Sequence, residues 1–244
     1  MNLIEIGKEY ESLLDNWVCG NRVENASTDF FFKDGVICPD VWFNQEIRPL
    51  FLLKEAYKEE STTDFDMRRW MNGTYKTPFN QVNFIVFKKI LQWTSTVFYN
   101  KEPSETISDL RKQYKWDNDL FKKIAFINIK KYDGKNFSDE KDLFAHVKAH
   151  KVQLQKQIEL VDPTIVVCCG TIRFFFAIFE KLVEIKKMEN KNNRIYELEL
   201  HGHSIYLIDF FHPASYRETE IFYCNEIKNA IADIPKCSDG VIEE

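Results

Sequence analysis

The sequence predicts an α/β fold, a three-layer α/β/α sandwich with a central parallel four-stranded sheet, and three observations predict it. Short apolar runs recur at 51–53 (FLL), 124–129 (IAFINI), 164–169 (TIVVCC) and 204–211 (SIYLIDFF). Segments of helical periodicity separate them, and strands alternating with helices build parallel sheets. The third run is apolar at nearly every position, the pattern of a strand covered on both faces.

Each element follows from local pattern. Residues 3–18 carry Leu3, Ile4, Tyr10, Leu13, Leu14 and Trp17 at helical spacing, predicting an N-terminal helix over about 1–20. A loop region follows, DGVICPDVWF, in which Pro39 suits a short turn of helix. Pro49 then leads into the first strand, at 51–53, a position where a strand tolerates proline. The stretch 80–99 predicts a helix, although its aromatic and β-branched residues also suit a strand. The second strand, 124–129, runs into Lys130, Lys131 and a Tyr-Asp-Gly turn. Residues 138–160 predict one long helix capped by Ser138 and closed by Asp162-Pro163. Gly170-Thr171 turns the third strand into an aromatic-rich helix over 172–184, and His201-Gly202-His203 turns a hairpin between two further strands. A last helix spans 218–232, ahead of an acidic tail at about 234–244. With no internal repeat and no linker composition, one domain over 1–244 is expected.

Composition narrows the function classes. The 44% hydrophobic content, with 21 Phe, supports one substantial core, and 8 Gly with 7 Pro argue against a many-turned all-β chain. A net charge of −5 gives no global basic field for nucleic acid. Local contacts would have to come from Lys122-Lys123 or from Lys130-Lys131 with Lys135, groups whose plainer reading is a solvated face. Cysteines 19, 38, 168, 169, 224 and 237 form no Cys-x-x-Cys pair, so free thiols in a reducing compartment are expected. The most apolar region, 164–179, is interrupted by Gly170 and Arg173 and is too short for a bilayer. The amphipathic, acidic N-terminus is unlike a signal peptide, so a cytoplasmic protein with no membrane contact is expected. There is no Walker loop, dinucleotide fingerprint or nucleophile elbow. His146 and His150 have the spacing of a zinc pair, but Val147 stands where a metalloprotease carries Glu, and solvent-facing rings are the plainer reading. His201 and His203 give no stronger signal, and neither metal nor cofactor is expected.

A parallel sheet places its ligand at the carboxyl ends of its strands. Four such ends are chemically distinctive here: Lys54-Glu55-Ala56-Tyr57, Asn128-Ile129-Lys130-Lys131, Cys169-Gly170-Thr171 and His212-Pro213-Ala214-Ser215-Tyr216. Glu55 beyond a buried strand can orient or deprotonate water, or simply pair with a nearby cation. Asn128 within an apolar strand must satisfy its amide, either on backbone or on a ligand's edge. His212 can donate to a developing anion or serve as a satisfied core histidine. Gly170 opens a helix whose first N–H groups could face the cleft, or forms a plain tight turn.

Taken together, LFLLKEAY, AFINIKKYDG, DPTIVVCCGT and IDFFHPASY resemble the uracil-DNA glycosylase superfamily in order and separation, over about residues 36–232. The resemblance implies a parallel four-stranded sheet between helices and excision of a damaged base from DNA. It implies that Glu55 positions the attacking water, Asn128 reads the base edge and His212 stabilises the departing base. It further implies substrate contacts from Lys54, Tyr57, Phe84, Gly170 and Ser215, with Tyr57 walling the pocket and Phe84 stacking on the flipped base. Lys130 and Lys131 would contact the nucleic-acid backbone. The chain departs from the family at Leu53-Lys54, where Gly is usual, at Ala56 in place of Pro, and at Ala214, which separates Pro213 from Ser215. The cysteines do not supply the ligands of the iron–sulfur branches. Two readings follow. One is hydrolysis of the N-glycosidic bond of uracil or a related base in single- or double-stranded DNA. The other is a glycosylase-fold module that binds a base, nucleotide or modified nucleic acid without cleavage. The acidic net charge adds a weaker third, a protein that blocks a DNA enzyme.

Overall fold

The computed structural model describes residues 3–24, 31–57, 65–72, 85–99, 102, 118–134, 138–179, 185–187 and 194–234. Phe84, the start of the helix expected from residue 80, Lys135, Cys237 and the acidic tail from 235 lie outside them. The helices are α1 (Leu3–Glu24), α2 (Pro39–Trp42), α3 (Met67–Met71), α4 (Ile85–Tyr99), α5 (Asn118–Lys122), α6 (Glu140–Ala149), α7 (Lys151–Val161), α8 (Ile172–Ile178) and α9 (Glu220–Ala232). The strands are β1 (Phe32–Lys33), β2 (Gly35–Val36), β3 (Pro49–Tyr57), β4 (Phe65–Asp66), β5 (Ala125–Gly134), β6 (Ile165–Cys169), β7 (Ile185–Lys187), β8 (Ile195–Leu200) and β9 (His203–Phe210).

The fold is mixed α/β. Among the described residues its main sheet has seven strands in the order β2-β5-β3-β6-β9-β8-β7. Strands β5, β3, β6 and β9 are mutually parallel, β2 pairs antiparallel with β5, and β8 and β7 extend the other side antiparallel. The sheet is therefore larger and more mixed than a four-stranded parallel one, because short segments outside the strand–helix alternation pair with its edges. The β8–β9 turn is a two-residue one, with His201 and Gly202 at φ 55 and 81, the positive-φ geometry that matches strand twist.

Alternate strand residues enter two separate cores. Leu50, Leu52, Ala125, Ile127, Val166, Cys168, Ile205 and Leu207 pack with α1, α6, α7 and α8. Phe51, Leu53, Phe126, Val167, Cys169, Ile208 and Phe210 pack with α3, α4, α5 and α9. Period-two side-chain direction, with helices on both faces, explains the nearly continuous apolar character of β6. No helix among the described residues is long and apolar enough to cross a membrane. Cys168, Cys169 and Cys224 are buried and Cys38 is partly so, whereas Cys19 is exposed on α1.

Three local expectations change. The helix expected over 138–160 is two helices, because the backbone at His150 (φ −118, ψ 24) leaves helical geometry. The His150 ring sits there between Trp17, whose Nε1–H donates to Nδ1 at 3.2 Å, and Tyr132, whose hydroxyl is 2.9 Å from Nε2. No Gly or Pro marks the break. The N-cap of α6 is Asp139, which accepts from the Lys141 N–H at 2.9 Å, rather than Ser138. The aromatic helix α8 ends at Ile178, short of the expected 184.

The polar centre of the first core is Asp34, just ahead of edge strand β2. It is fully buried and lies 2.6 Å from the Nζ of Lys131, also fully buried. Its carboxylate also accepts from the Asn128 backbone N–H at 2.7 Å, the Asn128 side-chain amide at 3.1 Å and the Gln157 amide at 3.0 Å. Tyr10 on α1 donates to the Asp34 carbonyl at 2.8 Å. Burial pushes the Tyr10 phenol up and the Lys131 ammonium down, with Asp34 acting against the second effect. Gly35 follows at φ +130, and a Cβ there would lie 1.8 Å from the Tyr10 hydroxyl oxygen, so this position admits only glycine. Removing one partner of a buried ion pair leaves an uncompensated charge. Asp34→Asn should therefore lower unfolding free energy by roughly 3–5 kcal/mol in urea titrations. Asp34→Asn with Lys131→Met should recover part of that loss, and an unchanged midpoint in the single variant would refute the assignment.

Candidate functional site

The site is built by strands that outrun their neighbours. β3 does not stop at Leu53: it pairs with β5 through Leu53↔Asn128, Glu55↔Lys130 and Tyr57↔Gly134, with an irregularity between Glu55 and Tyr57. On its other side the β3–β6 pairing ends at Leu52↔Cys168. Lys54 and Glu55 are thus strand residues held on one side only, projecting past the end of β6. Alternation sets Lys54 on the side of Leu52 and Glu55 on that of Leu53. Both are partly buried.

Beyond Cys169 the chain turns at Gly170, and this turn ties three strand ends together. Its N–H donates to the Phe210 carbonyl at 2.8 Å, and the Thr171 hydroxyl donates to the Leu52 carbonyl at 2.8 Å. The Gly170 N–H is therefore used internally rather than offered to the cleft. Gly170 has φ +68, and a Cβ on it would lie 3.4 Å from Lys54 Cε, 3.9 Å from Lys54 Nζ and 3.7 Å from His212 Cβ. Lys54 and His212 thus lie at ordinary contact distance from that point, and the positive φ rather than crowding is what favours glycine here.

His212 follows β9 by two residues. The Ala214 N–H donates to its Nδ1 at 3.2 Å, so the proton of the neutral ring sits on Nε2. Burial, then Lys54, then Lys89 lower its pKa to about 4, so the ring is a neutral donor around pH 7. Lys89, on α4, is a residue that sequence reading missed. It is largely buried, its ammonium bonds the Ser215 carbonyl, and it lies 4.9 Å and 5.0 Å from the ring centres of Tyr216 and Tyr223. Burial lowers its pKa against the opposing influence of Tyr223 and Glu220. Its only trace in the sequence is a lysine amid an apolar helical run, which periodicity reads as a surface position. Ser215 closes the turn, its N–H donating to the His212 carbonyl at 2.8 Å and its hydroxyl accepting from Tyr223 at 3.0 Å. The loop that carries His212 is thereby clamped to α4 and α9.

The other expected residues are placed differently. Asn128 is buried opposite Leu53 in the β3–β5 pairing, and its Nδ2 donates to Asp34. Lys130 is buried and paired with Asp142 at 2.6 Å, and Lys131 is paired with Asp34. Neither ammonium is presented to a DNA backbone, which corrects the phosphate-contacting role: each is drawn into an internal pair with a carboxylate. Tyr57 is described only through its backbone in β3, and Phe84 lies outside the described residues. His146 and His150 lie with ring centres 4.4 Å apart and planes tilted by 48°, and burial and neighbouring cationic groups lower the His146 pKa to about 2. These rings are buried against Tyr132 rather than solvent-facing.

The geometry predicts a titration. His212 in the folded chain should titrate near pH 4, against about 6.5 for an unperturbed imidazole. Since the folded state holds the ring neutral, acid costs stability as pH falls from the unfolded value towards the folded one. Nitrogen-15 NMR of the ring should show neutral imidazole protonated at Nε2 down to pH 5, and Lys54→Met should raise the midpoint. A midpoint near 6.5 in the wild type would overturn the description. No protein-family model matches this chain, and no curated protein matches it either.

Proposed function

We propose that this cleft hydrolyses the N-glycosidic bond of uracil or a related modified base in DNA, the reaction implied by the resemblance to the uracil-DNA glycosylase superfamily. One observation carries the reading: a neutral, Nε2-protonated His212 follows β9 at the same carboxyl end of the parallel strands at which Glu55 stands on β3. Breaking the bond builds positive charge on the sugar and negative charge on the base. Glu55 orients a water and accepts its proton as the water oxygen bonds to C1′. The C1′–N electron pair leaves with the base, where the His212 Nε2–H stabilises it. A neutral donor suits this task, since it binds the developing anion without first needing a proton from solvent. Gly170 supports the reading by turning the chain beside His212 at φ +68, and Ser215 by fixing the loop. Asn128 and Tyr57 would complete base recognition from neighbouring strands, with the unpaired valences of the Asn128 amide available for the base edge.

A second reading, binding of a base or nucleotide without cleavage, is favoured by the engagement of Asn128 Nδ2 with Asp34. That bond removes one donor from the set that would grip a base during bond breaking.

Uracil-containing single- and double-stranded oligonucleotides test the two. Wild-type protein should generate alkali-labile abasic sites, with Glu55→Gln and His212→Leu each lowering the rate by roughly 10²–10³-fold. No abasic product from wild type, with thermal stabilisation by free bases retained, would transfer the assignment to the binding reading.

A further inference from the structure

We infer that His146 and His150 form an acid-sensitive latch: neutral His150 fastens the C-terminal half of α1 to the junction of α6 and α7, and protonation of the pair releases it. The inference concerns the α1 face of the sheet and stands independently of the glycosylase reading. Hydrogen-bond accounting fixes the state of the His150 ring. An indole N–H only donates, so the Trp17 Nε1–H, 3.2 Å away, leaves His150 Nδ1 as an acceptor without a proton. The proton of the neutral ring is then on Nε2, which donates to the Tyr132 hydroxyl oxygen at 2.9 Å. Charging the ring puts a second proton on Nδ1, facing the indole N–H, and the bond that joins α1 to the junction is lost. Trp17, His146 and His150 are all buried, so water does not replace it in the closed form. The backbone leaves helical geometry at the same residue, and the two ring bonds brace a joint between helices.

His146 strengthens the effect. Its ring centre lies 4.4 Å from that of His150 and 5.0 Å from that of Tyr132, and its Nε2 is buried with no hydrogen-bond partner among the described residues. An imidazolium there has no acceptor for that N–H. Burial, then His150, Lys131 and Lys130 lower its pKa to about 2. The two lysines face the rings from β5, and their carboxylate partners, Asp34 and Asp142 of α6, are already bound to them. On α1, Asp15 is exposed and bound to Lys33. His150 ends α6 and precedes α7, so the opposed fields of the two helix ends give a cation no net support. With the folded His146 held below its unfolded value of about 6.5, its contribution is fully present above that pH and is lost as pH falls towards 2. Each pH unit below about 6.5 raises the opening constant up to roughly tenfold per histidine. The same helix carries Tyr10 over Asp34 and Gly35, so its release loosens the buried centre that holds Asn128.

Hydrogen–deuterium exchange of the full chain at pH 7 and pH 5, corrected for intrinsic amide rates, tests the inference. Peptides from the C-terminal half of α1 should lose roughly tenfold or more of their protection at the lower pH, while peptides of β6 and β9 keep theirs. His150→Gln supplies an acceptor for Trp17 and a donor for Tyr132 without titrating, and His146→Leu removes the second charge. The double variant should hold α1 as firmly at pH 5 as at pH 7, with circular dichroism confirming that it folds. Should it not fold, Trp17→Phe decides: lacking the latch bond, its α1 should exchange faster than wild type at pH 7 and lose less further protection at pH 5. Equal protection of α1 at both pH values in the wild type would overturn the inference. So would a loss spread evenly over α1, β6 and β9, or an acid loss that persists in full in the folded double variant or in Trp17→Phe.

Discussion

The buried pair of Asp34 and Lys131 is the constraint on which much of the molecule depends. A carboxylate and an ammonium with no exposed surface must satisfy each other and their remaining valences internally. Asp34 does so by collecting donors from β5 and α7, while Tyr10 of α1 bonds its backbone carbonyl. One residue thereby joins the N-terminal helix, the sheet edge and a helix more than a hundred residues further on. Gly35 is the geometric condition, because the tyrosine hydroxyl fills the volume that any side chain would need.

The same network reaches the carboxyl end of the sheet. Asn128 bonds Asp34 through both its backbone and its side chain, so the position expected to read a ligand is also part of the edge's internal wiring. Opposite it, β3 runs past the end of its β6 pairing and carries Lys54 and Glu55 to the cleft on a strand rather than a loop. A strand held by a ladder on one side offers firmer placement than a loop, and the direction of each side chain follows from the pleat. Gly170 and Thr171 lock β3, β6 and β9 together at this level, and Lys89 and Tyr223 hold the His212 loop from the opposite face.

Local pattern was enough for the apolar strands, the hairpin at His201-Gly202, the main helices and the grouping of distinctive residues at strand ends. These depend on periodicities of two and 3.6 and on turn chemistry, which short segments carry in themselves. The break at His150 was hidden, because it coincides with tertiary contacts to Trp17 and Tyr132 and with no breaker residue. The capping choice between Ser138 and Asp139 was a one-residue ambiguity that only backbone geometry resolves.

What tertiary structure alone decided was the fate of the charges. Lysines 130 and 131 read as a basic patch in the sequence, yet pairing with Asp142 and Asp34 draws both inside. Lys89 reads as the polar face of a helix, yet it sits under the His212 loop. Lys54 reads as an anomaly, and it comes to lie against Gly170, a residue more than a hundred positions away. The reason is physical: apolar burial follows from the periodicity of a segment, whereas a charge is placed by whichever distant partner can offset its desolvation. Strand ends could therefore be found by reading along the chain, while the electrostatics of the cleft they form emerge only when the strands lie side by side.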